Sequence, residues 1–138
     1  MIKRLFAIFL LLLYANTVYA EKSDILEEVE SSARSWLGSV DRGQYKESWG
    51  NSSPLLRAKT PEAEWIKSLT AIRSSRGAMN TRYIATASAA KSLSGFPDGD
   101  YVILQFYTTF TEKGLILETV TLAKTQDGTW QVSEYAIK

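Results

Sequence analysis

Apolar residues change their spacing twice along this chain, and each change marks a boundary. Leu5 to Leu13 is an unbroken run of nine apolar residues behind Lys3 and Arg4. From Ile25 to Ile72 apolar positions recur every three or four residues, the period of helices buried on one face. From Asn80 onward they alternate, the period of strands.

The helical part divides into three. Ser23 or Asp24 is placed to cap a first helix whose stripe is Ile25, Val29, Ala33, Trp36, Leu37 and Val40, and Asp41-Arg42-Gly43 stops it. Gln44 to Trp49 reads as a short second helix with Tyr45 and Trp49 on one face. Gly50 to Pro54 is a loop, and Leu55 to Lys59 adds a helical turn. Thr60-Pro61-Glu62 opens a third helix, with threonine as cap, and Trp65, Ile66, Leu69 and Ile72 follow before Gly77 closes it.

Four strands follow: Asn80 to Ala90, Tyr101 to Thr111, Leu115 to Lys124 and Thr129 to Ile137. The connections Pro97-Asp98-Gly99, Glu112-Lys113-Gly114 and Gln126-Asp127-Gly128 carry turn chemistry. The expected fold is α+β, three N-terminal helices packed on a curved four-stranded antiparallel meander. On the second strand Val102, Leu104, Phe106, Thr108 and Phe110 form the expected core face.

Two stretches carry a resemblance: Ser35-Trp36-Leu37 through Asp41-Arg42-Gly43-Gln44-Tyr45 to Trp49 and Ser53-Pro54, and Phe96-Pro97-Asp98-Gly99-Asp100-Tyr101-Val102 through Glu118-Thr119-Val120 to Trp130 and Tyr135. Together they resemble a bacterial family of secreted proteins, domain of unknown function 4019. The pattern is also similar to the wider nuclear-transport-factor-2-like, or cystatin-like, superfamily of cone-shaped α+β domains. The first resemblance implies no activity. The second implies a fold that hosts isomerases, dehydratases and non-catalytic modules, and a fold does not decide among them.

The first twenty residues read as an address. A positive start, a nine-residue apolar run and Val18-Tyr19-Ala20 match a signal peptide cleaved after Ala20. A membrane span needs about 20 apolar residues. The expected domain is therefore 21–138, periplasmic or secreted and free of the membrane after cleavage. Cleavage removes two cations, leaving 14 basic against 15 acidic groups. That balance gives no reason to expect nucleic acid. The chain has no cysteine and no histidine. This excludes disulfides, lipid-modified cysteine, Cys/His metal sites, and triads or dehydratase pairs that use histidine. No cofactor or metal is expected: Asp98 and Asp100 supply too few oxygens for calcium. Ser88-Ala89-Ala90-Lys91 lacks the context of a Ser-x-x-Lys acyl enzyme.

Candidate chemistry centres on Glu118. It shares a strand face with Ile116, Val120 and Leu122, so a core-facing sheet carries it into the cone. A carboxylate there needs a partner or a proton, and Arg82 and Arg73 are the candidate cations. Gln105 and Tyr107 face the other side, as a strip suited to a groove or a dimer surface. Trp36, Trp49, Trp65, Trp130 and Tyr45 form a dense aromatic set suited to the core or to a pocket floor. The ligand-binding candidates are Trp49, Arg82, Tyr83, Gln105, Tyr107 and Glu118. The expected function is non-catalytic binding of a small apolar or amphipathic ligand or of an envelope protein. Two alternatives stand beside it: an acid/base isomerase or hydro-lyase using Glu118 with Tyr83 or Tyr107, and a module that forms a homodimer through the sheet.

Overall fold

The computed structural model describes the backbone of residues 2–138 and the side chains of residues 21–138. The expected leader, Met1 to Ala20, lies outside the residues whose side chains are described. Helix α1 spans Ile2–Asp41. The expected cap at Ser23 or Asp24 is therefore helix interior. No glycine or proline interrupts Glu21 to Ile25, and serine or aspartate within a helix costs well under 1 kcal/mol. Residues 21–28 are all exposed, Ile25 included, and among the described side chains the buried stripe begins at Val29. Val29, Ala33, Leu37 and Val40 are essentially sealed. The helix ends in paired bonds, Gln44 N–H to Ser39 C=O at 2.9 Å and Gly43 N–H to Val40 C=O at 3.0 Å. Gly43 holds a φ of +73°, as this closing motif requires.

Four helices form where three were expected. Helix α2 is Tyr45–Gly50 and α3 is Pro54–Lys59. Ser53 makes the extra turn a helix of its own. It caps α3 by accepting from Leu56 N–H at 3.3 Å, and Pro54 takes the first helical position. Helix α4 is Glu62–Ser74 with Pro61 at its N-cap and no side-chain cap bond. Thr60 is the C-cap of α3 instead, and its carbonyl accepts the Trp49 indole N–H at 2.8 Å.

Strands β1 (Met79–Ala90), β2 (Tyr101–Phe110), β3 (Gly114–Lys124) and β4 (Trp130–Ile137) form one antiparallel sheet in the order β1-β2-β3-β4. Alternation sets its faces. Val102, Leu104, Phe106, Thr108 and Phe110 are all buried, as are Ile116, Glu118, Val120 and Leu122. The helices lie on this inner face, where Trp36, Leu37, Leu56, Trp65 and Leu69 meet Leu104, Phe106, Val120 and Val132. These side chains make up the buried core.

The turn after α4 is zipped to the β2–β3 hairpin. Glu112 N–H reaches Arg76 C=O at 2.9 Å and Thr111 N–H reaches Ala78 C=O at 3.0 Å. Between them Gly77 sits at φ +75°, and an added Cβ would collide with Thr111 Oγ1 and lie 2.8 Å from Glu112 Cγ. Gly77→Ala will cost about 1–2 kcal/mol for the left-handed backbone, with the clash adding to it. The check is thermal unfolding; an unchanged midpoint would refute this account of the turn.

Candidate functional site

Glu118 on β3 is fully buried, and the fold supplies donors to both of its oxygens. Oε1 accepts from Arg82 Nε on β1 at 2.8 Å and from the Thr108 hydroxyl on β2. Oε2 accepts from the Tyr135 hydroxyl on β4. Arg82 then reaches across to the last residue of α1. Its Nη1 and Nη2 lie 2.6 and 3.0 Å from Asp41 Oδ2 and Oδ1, a two-pronged pair of the kind guanidinium geometry favours. Arg73, in the last turn of α4, adds a bond from Nη2 to Asp41 Oδ1 at 2.9 Å. Two carboxylates and two guanidiniums thus balance in charge and tie α1, α4 and all four strands together.

Arg73 is the least satisfied member. Its Nε and Nη1 are buried without a hydrogen-bond partner among the described residues. Its guanidinium carbon lies 4.8 Å from the centre of the Phe110 ring, and that face offsets part of the cost.

Burial pushes the Asp41 pKa up, but hydrogen bonds and attraction from Arg82 and Arg73 outweigh it and leave the group below the ordinary aspartate range. For Tyr135, burial and the Glu118 charge both push the phenol well above its ordinary value. These shifts bound stability on two sides. A carboxyl with a lowered folded pKa contributes stability fully above its unfolded value of about 4. That contribution is lost as pH falls through the lowered value. A phenol with a raised folded pKa contributes below its unfolded value of about 10 and loses it as pH rises further. The expected profile is flat between these limits and falls outside them. Tyr135→Phe will lower the plateau and flatten the alkaline limb by up to about 1.4 kcal/mol per pH unit. Urea titrations across pH check this; an alkaline limb as steep as the parent's would contradict it.

The other expected site residues are not brought to Glu118. Tyr83 and Tyr107 face each other in register on the outer face of the sheet, where both are more than half exposed. Glu118 pairs with Phe106, one position out of phase with Tyr107, so their side chains point to opposite faces. The acid/base pairing of Glu118 with Tyr83 or Tyr107 is therefore corrected: the sheet itself separates them. Gln105 also faces outward and accepts from the Thr86 hydroxyl at 2.8 Å. Trp49 is half-buried with its N–H committed to Thr60. Trp36, Trp65 and Trp130 are core residues. Trp36 donates to Ser48 C=O and Ser52 Oγ, and Trp65 to Ser48 Oγ, at 2.9–3.0 Å.

Arg82 is the expected partner of Glu118, while Arg73 turns to Asp41 instead. Along the sequence Asp41 stands only in the turn that ends the first helix. Its signal was nonetheless present: Asp41 stands four residues after Leu37 and eight after Ala33, on the buried stripe of α1. Thr108 was read as a core position without a role, and Tyr135 carried no assignment.

Several grooves among the described residues open elsewhere. One of about 720 Å³ lies between the start of α3 and two sheet turns, walled by Pro54, Leu55, Pro97 and Tyr101 with Asp98 and Lys124 at its sides. A second, of about 410 Å³, lies where Ile25 approaches Ala89 and Ala90. Neither includes Glu118.

The family described as "Protein of unknown function (DUF4019)" matches residues 32–135. No curated protein matches the chain. One solved structure from Catenulispora acidiphila superposes with a TM-score of 0.53 over 86% of this chain and 93% of its own, at 14% identity. A second from the same organism, in complex with S-DNPA, gives a TM-score of 0.52 over 83% and 92%, at 16% identity. At such identities the likeness is one of fold alone.

Proposed function

The chain belongs to the family Protein of unknown function (DUF4019), and from its geometry we propose an exported, non-catalytic binding domain of the cone-shaped nuclear-transport-factor-2-like kind. One observation carries the reading. The carboxylate best placed for chemistry, Glu118, has no exposed surface, and both of its oxygens are occupied by donors from the chain itself. Such a group can hold a fold together, but it offers no face to a substrate.

The working surface on this reading lies outside the cone. The groove between α3 and the sheet turns, which sets Pro54, Leu55, Pro97 and Tyr101 against Asp98, Asp100, Asp127 and Lys124, suits a small amphipathic molecule. Export rests on the leader pattern of Met1 to Ala20. It is compatible with the exposure of residues 21–28, which leaves Val29 as the first buried position after the expected cleavage point.

Native mass spectrometry of the chain purified gently from its own host tests both parts. The expected species begins at Glu21 and carries an added small-molecule mass, lost on substitution of Tyr101 or Leu55 in the groove. A species retaining Met1 refutes the export step. A bound molecule insensitive to those substitutions, or turnover abolished in Glu118→Gln at unchanged stability, refutes the exterior binding reading.

A further inference from the structure

Strand β1 is the outer edge of the sheet, and from Tyr83 to Ala90 only a bulge at Ala85 blunts it. From Tyr83 to Ala90 it carries no charge, no proline and no glycine, and six of these eight residues are exposed. Sheet edges of this length are normally protected by lysine, proline or a cover, because unpaired N–H and C=O groups template further pairing. Arg34 of α1 reaches the Arg82 carbonyl at 3.5 Å. Beyond that point, among the described residues, no backbone group from Tyr83 to Ala90 bonds outside the β1–β2 ladder.

A second observation falls on the same place. Six large apolar side chains stand exposed among the described residues: Ile25, Leu26, Tyr83, Ile84, Tyr107 and Leu115. Tyr83 and Ile84 are on β1, and Tyr107 is the register partner of Tyr83. Ile25 shares a groove with Ala89 and Ala90, and Leu26 follows it in α1. Three of the six, Ile25, Tyr83 and Ile84, thus lie on or beside this edge, whereas Tyr107 and Leu115 stand on β2 and β3.

We propose that this edge docks a second copy of the chain, with two β1 strands paired antiparallel about a twofold axis through Ala87, so that two four-stranded sheets become one. The register follows from the strand itself. An axis at Ala87 sets Thr86 against Ser88. The β1–β2 pairing breaks step between Ile84 and Thr86, marking a bulge at Ala85. Counted across that bulge, Ile84 comes opposite Ala89, so inner-face residues meet inner-face residues. Ile25 flanks Ala89 on the helix side of the sheet, so the arriving Ile84 covers it, and the twofold repeats the contact. A second copy fits better than an unrelated strand for two reasons. The uncharged segment meets itself without like-charge repulsion, and its exposed apolar groups at one end answer those at the other.

The test is sedimentation of the chain as purified from its host, over a wide concentration range. The parent is expected to be a dimer. Ser88→Lys places a charge on the edge at a position with no side-chain hydrogen bond, and Ile25→Asp removes the flanking contact. Each is expected to raise the dissociation constant at least about tenfold while leaving the far-ultraviolet spectrum unchanged. Tyr107→Lys, at the middle of the outer face, is the control and is expected to have a smaller effect than either. A parent that is monomeric at every concentration overturns the proposal. So does a dimer indifferent to both edge variants, or one weakened chiefly by Tyr107→Lys, which would put the contact on the sheet face.

Discussion

Replacing Arg82 with methionine will cost the folded state about 3–5 kcal/mol, the range measured when one partner of a buried ion pair is removed. Arg82 is the only cation bonded to both carboxylates of the network. Its loss strands Glu118, which is fully buried, with only hydroxyl donors from Thr108 and Tyr135. Asp41 keeps Arg73 but loses its two-pronged partner. Domains of this size have about 5–15 kcal/mol in hand, so the variant will unfold at much lower urea. Adding Glu118→Gln to Arg82→Met should recover part of the loss, because the stranded charge is then gone. Urea unfolding followed by circular dichroism measures both. A loss below about 1 kcal/mol for Arg82→Met would mean that the network behaves like a solvated surface pair and does not lock the interior.

Trp36→Ala is the second large effect, expected at about 3–5 kcal/mol. The side chain is 5% exposed and packs between Trp65, at 5.9 Å, and Tyr135, at 5.3 Å, measured between ring centres. Most of the cost is the cavity, since aromatic removal leaves a void that neighbours only partly fill. The edge-on contact with Tyr135 adds about 0.5–1.5 kcal/mol beyond burial. The Ser48 carbonyl keeps another donor, the Ser52 hydroxyl at 2.7 Å, so orphaned hydrogen bonds contribute little. Because Trp36 braces the ring whose hydroxyl reaches Glu118, the variant should also lose part of the alkaline dependence attributed to Tyr135. A Trp36→Ala variant with parent-like stability, or with an unaltered alkaline limb, would separate the aromatic cluster from the ion-pair network.

The two results bear on function together. An interior locked by charge balance and braced by aromatic side chains has little freedom to admit a ligand, so the proposed binding function would fall to grooves and edges. Stability and binding should then be separable. Variants at Ser88, Ile25 or the partly exposed groove residue Leu55 should alter association without melting the fold, and variants at Arg82 or Trp36 should do the reverse.

Much of the fold was legible along the chain because local rules and burial agree there. The alternation of Val102, Leu104, Phe106, Thr108 and Phe110 fixed one strand face, and the hairpin signals at Asp98-Gly99 and Asp127-Gly128 fixed the meander. Errors came where a local signal had a competitor. Thr60 looks like a cap, yet the preceding turn, capped by Ser53, claims it as a helix end. Ser23 and Asp24 look like a helix start, yet no glycine or proline interrupts the helix before them, so it runs through.

The sequence by itself put Glu118 on one strand face with Ile116, Val120 and Leu122, and a carboxylate on that face needs a partner or a proton if the face is the core. It also excluded histidine and cysteine chemistry outright. Only the tertiary structure decided which cation answers Glu118, that Asp41 joins it, and that Tyr83 and Tyr107 stand on the far side of the sheet. The physical reason is range. Periodicity acts over a few residues and fixes the face a side chain presents, whereas the network joins residues 36 and 41 positions apart. Such pairings are set by how helices cross a sheet and where a bulge shifts its register, which no local pattern records.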